Sequence, residues 1–93
     1  MKYEVRSRPS ADKDMKGLPE AVRVRVARAL RSLGDNPRPP GIVPVKSAPP
    51  GNYRLRVGAY RIGYEVDDGA RVVEVWQVGD RRDFYDNAKR RRK

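Results

Sequence analysis

The sequence predicts an α+β domain in which an N-terminal strand and a two-helix hairpin pack on one face of an antiparallel β-meander. Residues 53–78 alternate apolar and polar side chains across two short turns, as half-buried strands do. Residues 19–33 instead repeat apolar side chains at the three- and four-residue spacing of a helix. The chain has 93 residues, which is enough for one domain, residues 1–93, and too short for two.

Two turns fix the predicted register of the meander. Gly58-Ala59 is predicted to be a two-residue hairpin loop, because glycine in the first central position is typical of type II′ turns. Asp68-Gly69 is predicted to be a second two-residue loop. In this register one face of the sheet carries nine apolar side chains and should form the core: Tyr53, Leu55, Val57, Tyr60, Ile62, Tyr64, Val66, Val73 and Val75.

The opposite face of the meander carries charged side chains, among them Arg54, Arg56 and Arg61. The predicted register puts Arg56 directly across from Arg61, and Arg61 directly across from Trp76. Facing like charges destabilise a sheet by a few tenths to about 1 kcal/mol. A bound anion would offset that cost. Three cations beside the bare Gly63 and an aromatic ring therefore suit a phosphate chain with its bases, and the alternative is an ordinary solvated strand face.

Charge and composition narrow the class of partner. The chain carries 22 Lys and Arg against 12 Asp and Glu, a net charge of +10, which favours polyanionic partners. It has no cysteine and no histidine, which excludes disulfides, the commoner zinc sites and a histidine general base. No apolar run approaches the roughly 18 residues that span a bilayer, and no signal-peptide core is present. We expect a cytoplasmic protein without membrane contact.

The segments before the meander predict one strand and two helices. Residues 2–6 alternate as a short strand that joins the same sheet. Pro9 should open a first helix that ends at Gly17, and Pro19 a second that ends at Gly34 and the Asn-Pro step at 36–37.

The second helix has one apolar stripe and several basic side chains. The stripe should pack on the sheet and comprises Val22, Val26, Ala29, Leu30 and Leu33. Four arginines lie mostly off this stripe: Arg23, Arg25, Arg28 and Arg31. They predict a solvated helix face, and the same face could meet RNA.

Residues 36–51 hold six of the eight prolines and predict a loop with no strand or helix. Long loops inside compact domains are uncommon and often functional. We expect Ile42, Val43 and Val45 to pin this loop to the core. Lys46 is predicted to lie near the arginines of the meander as a nucleic-acid contact.

A short helical tail is predicted after the meander. Arg81 and Tyr85 are four residues apart and would lie on one side of a helical turn. Residues 89–93 are a run of cations, and Lys89 and Arg90 are predicted nucleic-acid contacts.

The order of elements and several short motifs resemble the RelE/ParE superfamily of toxins from bacterial type II toxin–antitoxin pairs, in its RelE-like branch. The motifs are Asn-Pro-Arg at 36–38, Tyr-Arg-Leu-Arg-Val-Gly at 53–58, Tyr-Arg-Ile-Gly-Tyr at 60–64, and Val-Gly-Asp-Arg at 78–81 followed by Tyr85. The resemblance covers essentially the whole chain. RelE-like members cut messenger RNA in the ribosomal decoding site, whereas ParE-like members poison DNA gyrase and lack the cleavage residues.

The resemblance implies five cleavage residues, two before the glycine hairpin, one after it, one past the last strand and one near the C-terminus: Arg54, Arg56, Arg61, Arg81 and Tyr85.

Two departures from the family pattern bear on activity. The best-known cleaving members carry lysines where this chain has Arg54 and Arg56. Arginine stays charged, so these two side chains can clamp a phosphate but cannot act as general bases. Asp80 stands where many relatives have a basic or imidazole residue, and its charge lowers the local positive potential.

The implied activity is a metal-independent, ribosome-dependent endoribonuclease, an mRNA interferase that inhibits translation without a cofactor. The ribose 2′-hydroxyl would attack the adjacent phosphate and leave a 2′,3′-cyclic phosphate and a 5′-hydroxyl. Arg61 and Arg81 would stabilise the charge that develops on the phosphate, while Arg54 and Arg56 hold the backbone. Tyr85 would accept a proton or stack on a base.

The resemblance also implies partners. These are a cognate antitoxin that is acidic where it meets the arginines, the ribosome with its mRNA, and operator DNA when toxin and antitoxin are bound together. Two alternatives stay open: a ParE-like inhibitor of DNA gyrase, and a non-catalytic nucleic-acid-binding or corepressor module.

Overall fold

The computed structural model describes residues 2–80, which form one five-stranded sheet and two helices. In chain order the elements are β1 (Glu4–Ser7), α1 (Pro9–Lys16), α2 (Glu20–Asp35), β2 (Val43–Pro44), β3 (Asn52–Val57), β4 (Tyr60–Asp67) and β5 (Val72–Asp80). The strand order is β1-β5-β4-β3-β2, with β1 parallel to β5 and every other pair antiparallel. The α+β prediction is confirmed. The predicted C-terminal helix falls on residues 81–93, outside the described residues.

The two helices begin and end close to where the sequence predicts. Each begins beside a proline, since Pro9 is the first residue of α1 and Pro19 precedes α2. At the end of α1, Gly17 keeps a right-handed φ of −84° and its backbone N–H donates to the Asp14 carbonyl. The helix therefore ends there without a left-handed cap. Within residues 2–80 no helix is long and apolar enough to cross a lipid bilayer.

One hydrophobic core lies between the helices and the sheet. Its buried members come from both layers: Ala11, Val26, Leu33, Ile62, Tyr64, Val66, Val73, Val75 and Val78. The predicted core side chains of β3, Tyr53, Leu55 and Val57, pack against this cluster. Tyr60 is half-buried and lies outside it. The predicted core face of the meander is therefore confirmed except for Tyr60.

The loop between β4 and β5 is longer than the sequence predicts. Asp67 pairs with Val72, so residues 68–71 form a four-residue loop rather than the two-residue loop that we predicted. The Asp67 carboxylate accepts a hydrogen bond from the Ala70 backbone N–H (3.0 Å), as short acidic side chains often do in turns. Arg71 completes the loop with a left-handed φ of 58°.

A β-bulge shifts the register farther along the same pair of strands. Tyr64 pairs with Val75, but the next residue, Gly63, pairs with Gln77, so Trp76 is the extra residue on β5. The longer loop and the bulge together shift the register by three residues, so the predicted pairing of Arg61 with Trp76 is wrong and Arg61 pairs with Gly79.

The bulge explains how β5 keeps its apolar side chains in the core. Val73 and Val75 alternate normally, and the next core side chain comes three residues later, at Val78. The inserted residue restores the phase, because it lets Trp76 and Gln77 both occupy the face away from the helices.

The proline-rich segment contains a short strand where we predicted none. Residues 43–44 pair with β3 at the edge of the sheet, where the missing N–H of a proline is tolerated. Ile42 packs against the main core and Val45 against Trp76, as predicted for pinning residues. Val43 is 43% exposed, so the same prediction is wrong for this residue.

The first helix covers the edge of β5 beyond the point where β1 ends. The Ser10 hydroxyl donates to the Trp76 carbonyl (3.1 Å), and an Asp14 carboxylate oxygen accepts from the Val78 backbone N–H (3.0 Å). Side chains thus satisfy part of an edge that would otherwise be open to another strand.

Gly63→Ala tests the contact between the bulge and β4. A Cβ at Gly63 would lie 2.7 Å from the Trp76 ring, so the substitution should lower the free energy of unfolding by about 1–3 kcal/mol. Urea denaturation with an unchanged m value would measure this loss. Gly69→Ala is the control, since its Cβ would meet only Asp67 Oδ1 at 3.5 Å and should change stability by about 0.5 kcal/mol or less. Equal effects of the two substitutions would contradict the packing account.

Candidate functional site

Three arginines of the β3–β4 hairpin lie together on the sheet face that points away from the helices. Arg54 pairs with Gly63, and Arg56 pairs with Arg61, so the predicted β3–β4 register is confirmed. Side chains at directly opposed positions have Cβ atoms about 5 Å apart. We call the surface formed by Arg54, Arg56 and Arg61 the arginine face.

Glycine at the hairpin turn and the alternation of the two strands give the arginine face its position. Gly58 has a φ of +62°, which suits the first central residue of the predicted turn. The neighbouring residues Leu55 and Ile62 point into the core, so Arg54, Arg56 and Arg61 must point away from it.

Arg56 is the exposed member of the arginine face, whereas the other two are half-buried. Its Nε donates to the Gly58 carbonyl (3.1 Å), and within residues 2–80 it has no carboxylate partner. The guanidinium thus keeps donors for a ligand while it stands across from Arg61.

Trp76 is buried beside the arginine face, and its ring is not exposed to solvent. Its side chain is 1% exposed and its ring lies directly over Gly63, the cross-strand partner of Arg54. A buried ring has no free surface for a base to stack on. The prediction that Trp76 is a nucleic-acid contact is therefore wrong in this structure, and its physical role is packing.

Asn52 holds the Trp76 ring in place, a role that was not predicted from the sequence. Its side-chain oxygen accepts from the indole Nε1 (2.9 Å), and its Nδ2 donates to the Pro49 carbonyl (2.9 Å) and more weakly to Glu65 (3.4 Å). Asn52 is 2% exposed, so these bonds offset the cost of burying its amide. A polar residue at the start of a strand is a weak sequence signal for such a role.

Acidic side chains lie on the same face of the sheet, farther from the β3–β4 turn than the arginines. Glu65 of β4 pairs with Glu74 of β5, and Arg8 bridges them, with Nη2 at 2.8 Å from Glu74 and 3.6 Å from Glu65. The chain itself therefore supplies the counter-charge for this facing pair of carboxylates. The face is basic towards the β3–β4 turn and mixed in charge towards the other end.

The remaining predicted contacts have different outcomes. Lys46 is exposed, next to Val45 in the segment that covers Trp76, and its role in binding stays a prediction. Four other predicted residues lie outside the described residues: Arg81, Tyr85, Lys89 and Arg90.

A second polar cluster lies at the opposite end of β4, around the β4–β5 loop. Arg38 makes a bidentate ion pair with Asp68, in which Nη1 lies 3.1 Å from Oδ1 and Nη2 lies 2.8 Å from Oδ2. The Tyr3 hydroxyl donates to the same carboxylate (2.5 Å), and Arg38 Nε donates to the Tyr53 hydroxyl (3.2 Å). These bonds attach the proline-rich segment and the N-terminus to the loop.

The pKa shifts of this cluster follow from its contacts. Hydrogen bonds from Arg38 and Tyr3 lower the pKa of Asp68 to about 2, and the same carboxylate raises the pKa of both donors. Burial raises the pKa of Tyr64, whose hydroxyl donates to the Pro37 carbonyl (2.8 Å). Ion pairing and burial explain these shifts, so they indicate a structural network rather than a reactive site.

Comparison with known families and proteins gives a consistent result. Residues 5–85 match the family described as the ParE toxin of the type II toxin–antitoxin system parDE. A protein of Escherichia coli named as a RelE-like toxin is 30% identical over 93 residues, 98% of each chain. Toxin RelG of Mycobacterium tuberculosis is 33% identical over 87 residues, which cover 91% of this chain and 98% of RelG.

A solved structure resembles the fold over most of the chain. It is the toxin–antitoxin complex RelBE2 from Mycobacterium tuberculosis, in which a matching chain is 27% identical with a TM-score of 0.74. The match covers 87% of this chain and the whole of that one.

Acid titration tests the Arg38–Asp68 network. Because the folded-state pKa of Asp68 is lowered from 3.8 to about 2, its stabilising contribution is present above about pH 4 and is lost as the pH falls towards 2. Asp68→Asn and Arg38→Gln should therefore both flatten the decline of the free energy of unfolding between pH 5 and pH 2, measured by denaturant unfolding. A decline as steep as that of the unsubstituted chain in both variants would contradict the assigned network.

Proposed function

Because the chain belongs to the RelE/ParE superfamily of type II toxin–antitoxin toxins, we propose that it is an endoribonuclease that cuts messenger RNA on the ribosome and so inhibits translation. The observation that carries this proposal is the arginine face, with Arg56 directly across from Arg61 and Arg54 two residues along the same strand. Arg56 is exposed and has no carboxylate partner within residues 2–80, so its guanidinium can donate to an anion. A nucleic-acid phosphate is such an anion.

The chemistry of the arginine face suits phosphate binding better than proton transfer. A guanidinium can donate two parallel hydrogen bonds to phosphate oxygens, and it stays charged throughout the physiological range. In the proposed reaction the 2′-oxygen bonds to phosphorus while the bond from phosphorus to the 5′-oxygen breaks. Arg61 would stabilise the charge that builds on the phosphate oxygens, and Arg54 and Arg56 would hold the backbone on either side.

The two proton transfers need other groups. The 2′-hydroxyl must lose a proton and the departing 5′-oxygen must gain one, and arginine cannot accept a proton at neutral pH. Arg81 and Tyr85, which the family resemblance implies, are the proposed additional charge and proton-transfer group. Tyr85 as a phenolate would accept the proton of the 2′-hydroxyl, and the resulting phenol would donate it to the departing 5′-oxygen. A protein with so few acid–base groups depends on the ribosome to align the 2′-oxygen with the phosphate, so it should cut free RNA poorly.

An antitoxin is the proposed partner of the same face. The RelBE2 structure is by its description a toxin–antitoxin complex. A cognate antitoxin that covers the arginine face should present an acidic side chain to Arg56, because burying a guanidinium without a carboxylate partner is costly. Such a cover would also exclude RNA.

Gyrase inhibition is the second candidate, and the ParE description of the matching family favours it. The two functions differ in what they require of the arginine face. Ribonuclease action needs the guanidiniums of the arginine face at the scissile phosphate, whereas gyrase inhibition does not require cleavage residues. Gyrase supercoiling with added protein separates the two candidates.

Arg61→Gln should lower the rate of messenger cleavage on programmed ribosomes by roughly 10²–10³, because one charge-stabilising donor is lost. Primer extension on the cleaved message would measure the rate. Arg71→Gln is the matched control, since it removes the same charge from an exposed loop at the other end of β4 and should leave the rate unchanged. An unchanged rate in the Arg61 variant, or gyrase inhibition without cleavage, would contradict the proposal.

A further inference from the structure

We propose that Arg25 of α2 and Arg56 of β3 form a second phosphodiester-binding site at the tip of the β3–β4 hairpin. This site would hold an RNA phosphate beyond the bond that is cut. The inference rests on the proposed function, because it extends the path of the RNA from the arginine face over the hairpin and onto α2. It assigns to Arg25 a role that differs from that of a solvated helix residue.

Arg25 lies flat against the glycine of the hairpin turn. The position that a Cβ of Gly58 would occupy is 3.1 Å from Arg25 Nη2, 3.2 Å from Nη1 and 3.4 Å from Cζ. Three of the four heavy atoms of the guanidinium are thus at nearly the same distance from this position. Glycine suits this position because of its φ of +62°, and it also leaves room for the guanidinium.

Arg56 reaches the same residue from the other side of the sheet. Its Nε donates to the Gly58 carbonyl (3.1 Å). Arg25 comes from the helical layer and Arg56 from the open face, so the two guanidiniums approach the same turn residue, Gly58, from opposite sides. The basic surface therefore continues around the tip instead of ending at the sheet.

The two positive charges at the tip of the β3–β4 hairpin, Arg25 and Arg56, favour binding of an anion. Arg25 and Arg56 are both exposed, and within the described part of the chain neither has a carboxylate at ion-pair distance. In contrast, the facing carboxylates Glu65 and Glu74 have a counter-charge within the chain, because Arg8 bridges them. A phosphodiester between the two guanidiniums would supply the missing counter-charge and accept their free N–H donors.

The predicted consequence is a specific loss of RNA affinity in Arg25→Gln. With a single-stranded 2′-O-methyl RNA that cannot be cut, affinity at 0.1 M salt should fall about fivefold, and the slope of log K against log salt should become shallower by about 0.7. Arg25→Lys keeps the charge and should retain most of the affinity. Fluorescence anisotropy of the full-length protein at several salt concentrations would measure both quantities.

Controls and a second binding partner make the test decisive. Arg71→Gln removes an equal charge at the far end of β4 and should leave both the affinity and the slope unchanged. Binding to vacant ribosomes is measured in parallel. A loss on the free oligonucleotide assigns the site to the message strand, and a loss only on vacant ribosomes assigns it to ribosomal RNA.

Two results would overturn the inference: unchanged binding of Arg25→Gln to both partners, or an equal loss in Arg71→Gln. Neither result bears on the proposed ribonuclease activity, which is judged by cleavage on programmed ribosomes. Conversely, a protein that binds RNA through Arg25 but leaves messages intact would retain the tip site and lose the proposed function.

Discussion

The contact between the Trp76 ring and Gly63 is the constraint on which the rest of the sheet depends. The ring occupies the space that a side chain at position 63 would need. Asn52 fixes the orientation of the ring by accepting a hydrogen bond from the indole N–H. Because the bulge turns Trp76 away from the helices, Val75 and Val78 can both enter the core. A buried aromatic ring on the open face also gives β3 and β4 a rigid support, from which the arginines project.

The fold concentrates positive charge at the β3–β4 turn. Arg56 faces Arg61 across the hairpin, and Arg25 approaches the same turn from α2, so folding brings together cations that repel one another. At the other end of the face, Arg8 bridges two facing glutamates and compensates their repulsion within the chain. At the basic end Arg56 has no carboxylate partner within residues 2–80, which suits the polyanionic partners proposed above.

Many features encoded by neighbouring residues could be predicted from the sequence, with the length of the β4–β5 loop as an exception, whereas features that join distant residues could not. Prolines and glycines set the helix bounds, and Gly58 set the β3–β4 register and hence the pairing of Arg56 with Arg61. The bulge was missed, although the interval of three between Val75 and Val78 was a signal for it. Asn52 and Trp76 are 24 residues apart and Arg38 and Asp68 are 30 apart, so no local pattern predicts either bond.

Mapping new transcript ends after induction of the protein in bacterial cells tests the central claim most directly. If the arginine face cuts messages in the decoding site, new 5′-hydroxyl ends should arise inside coding sequences at a fixed position within the codon. They should be absent from untranslated RNA in the same cells. Growth arrest with intact messages would contradict the claim, and so would ends scattered equally over translated and untranslated RNA.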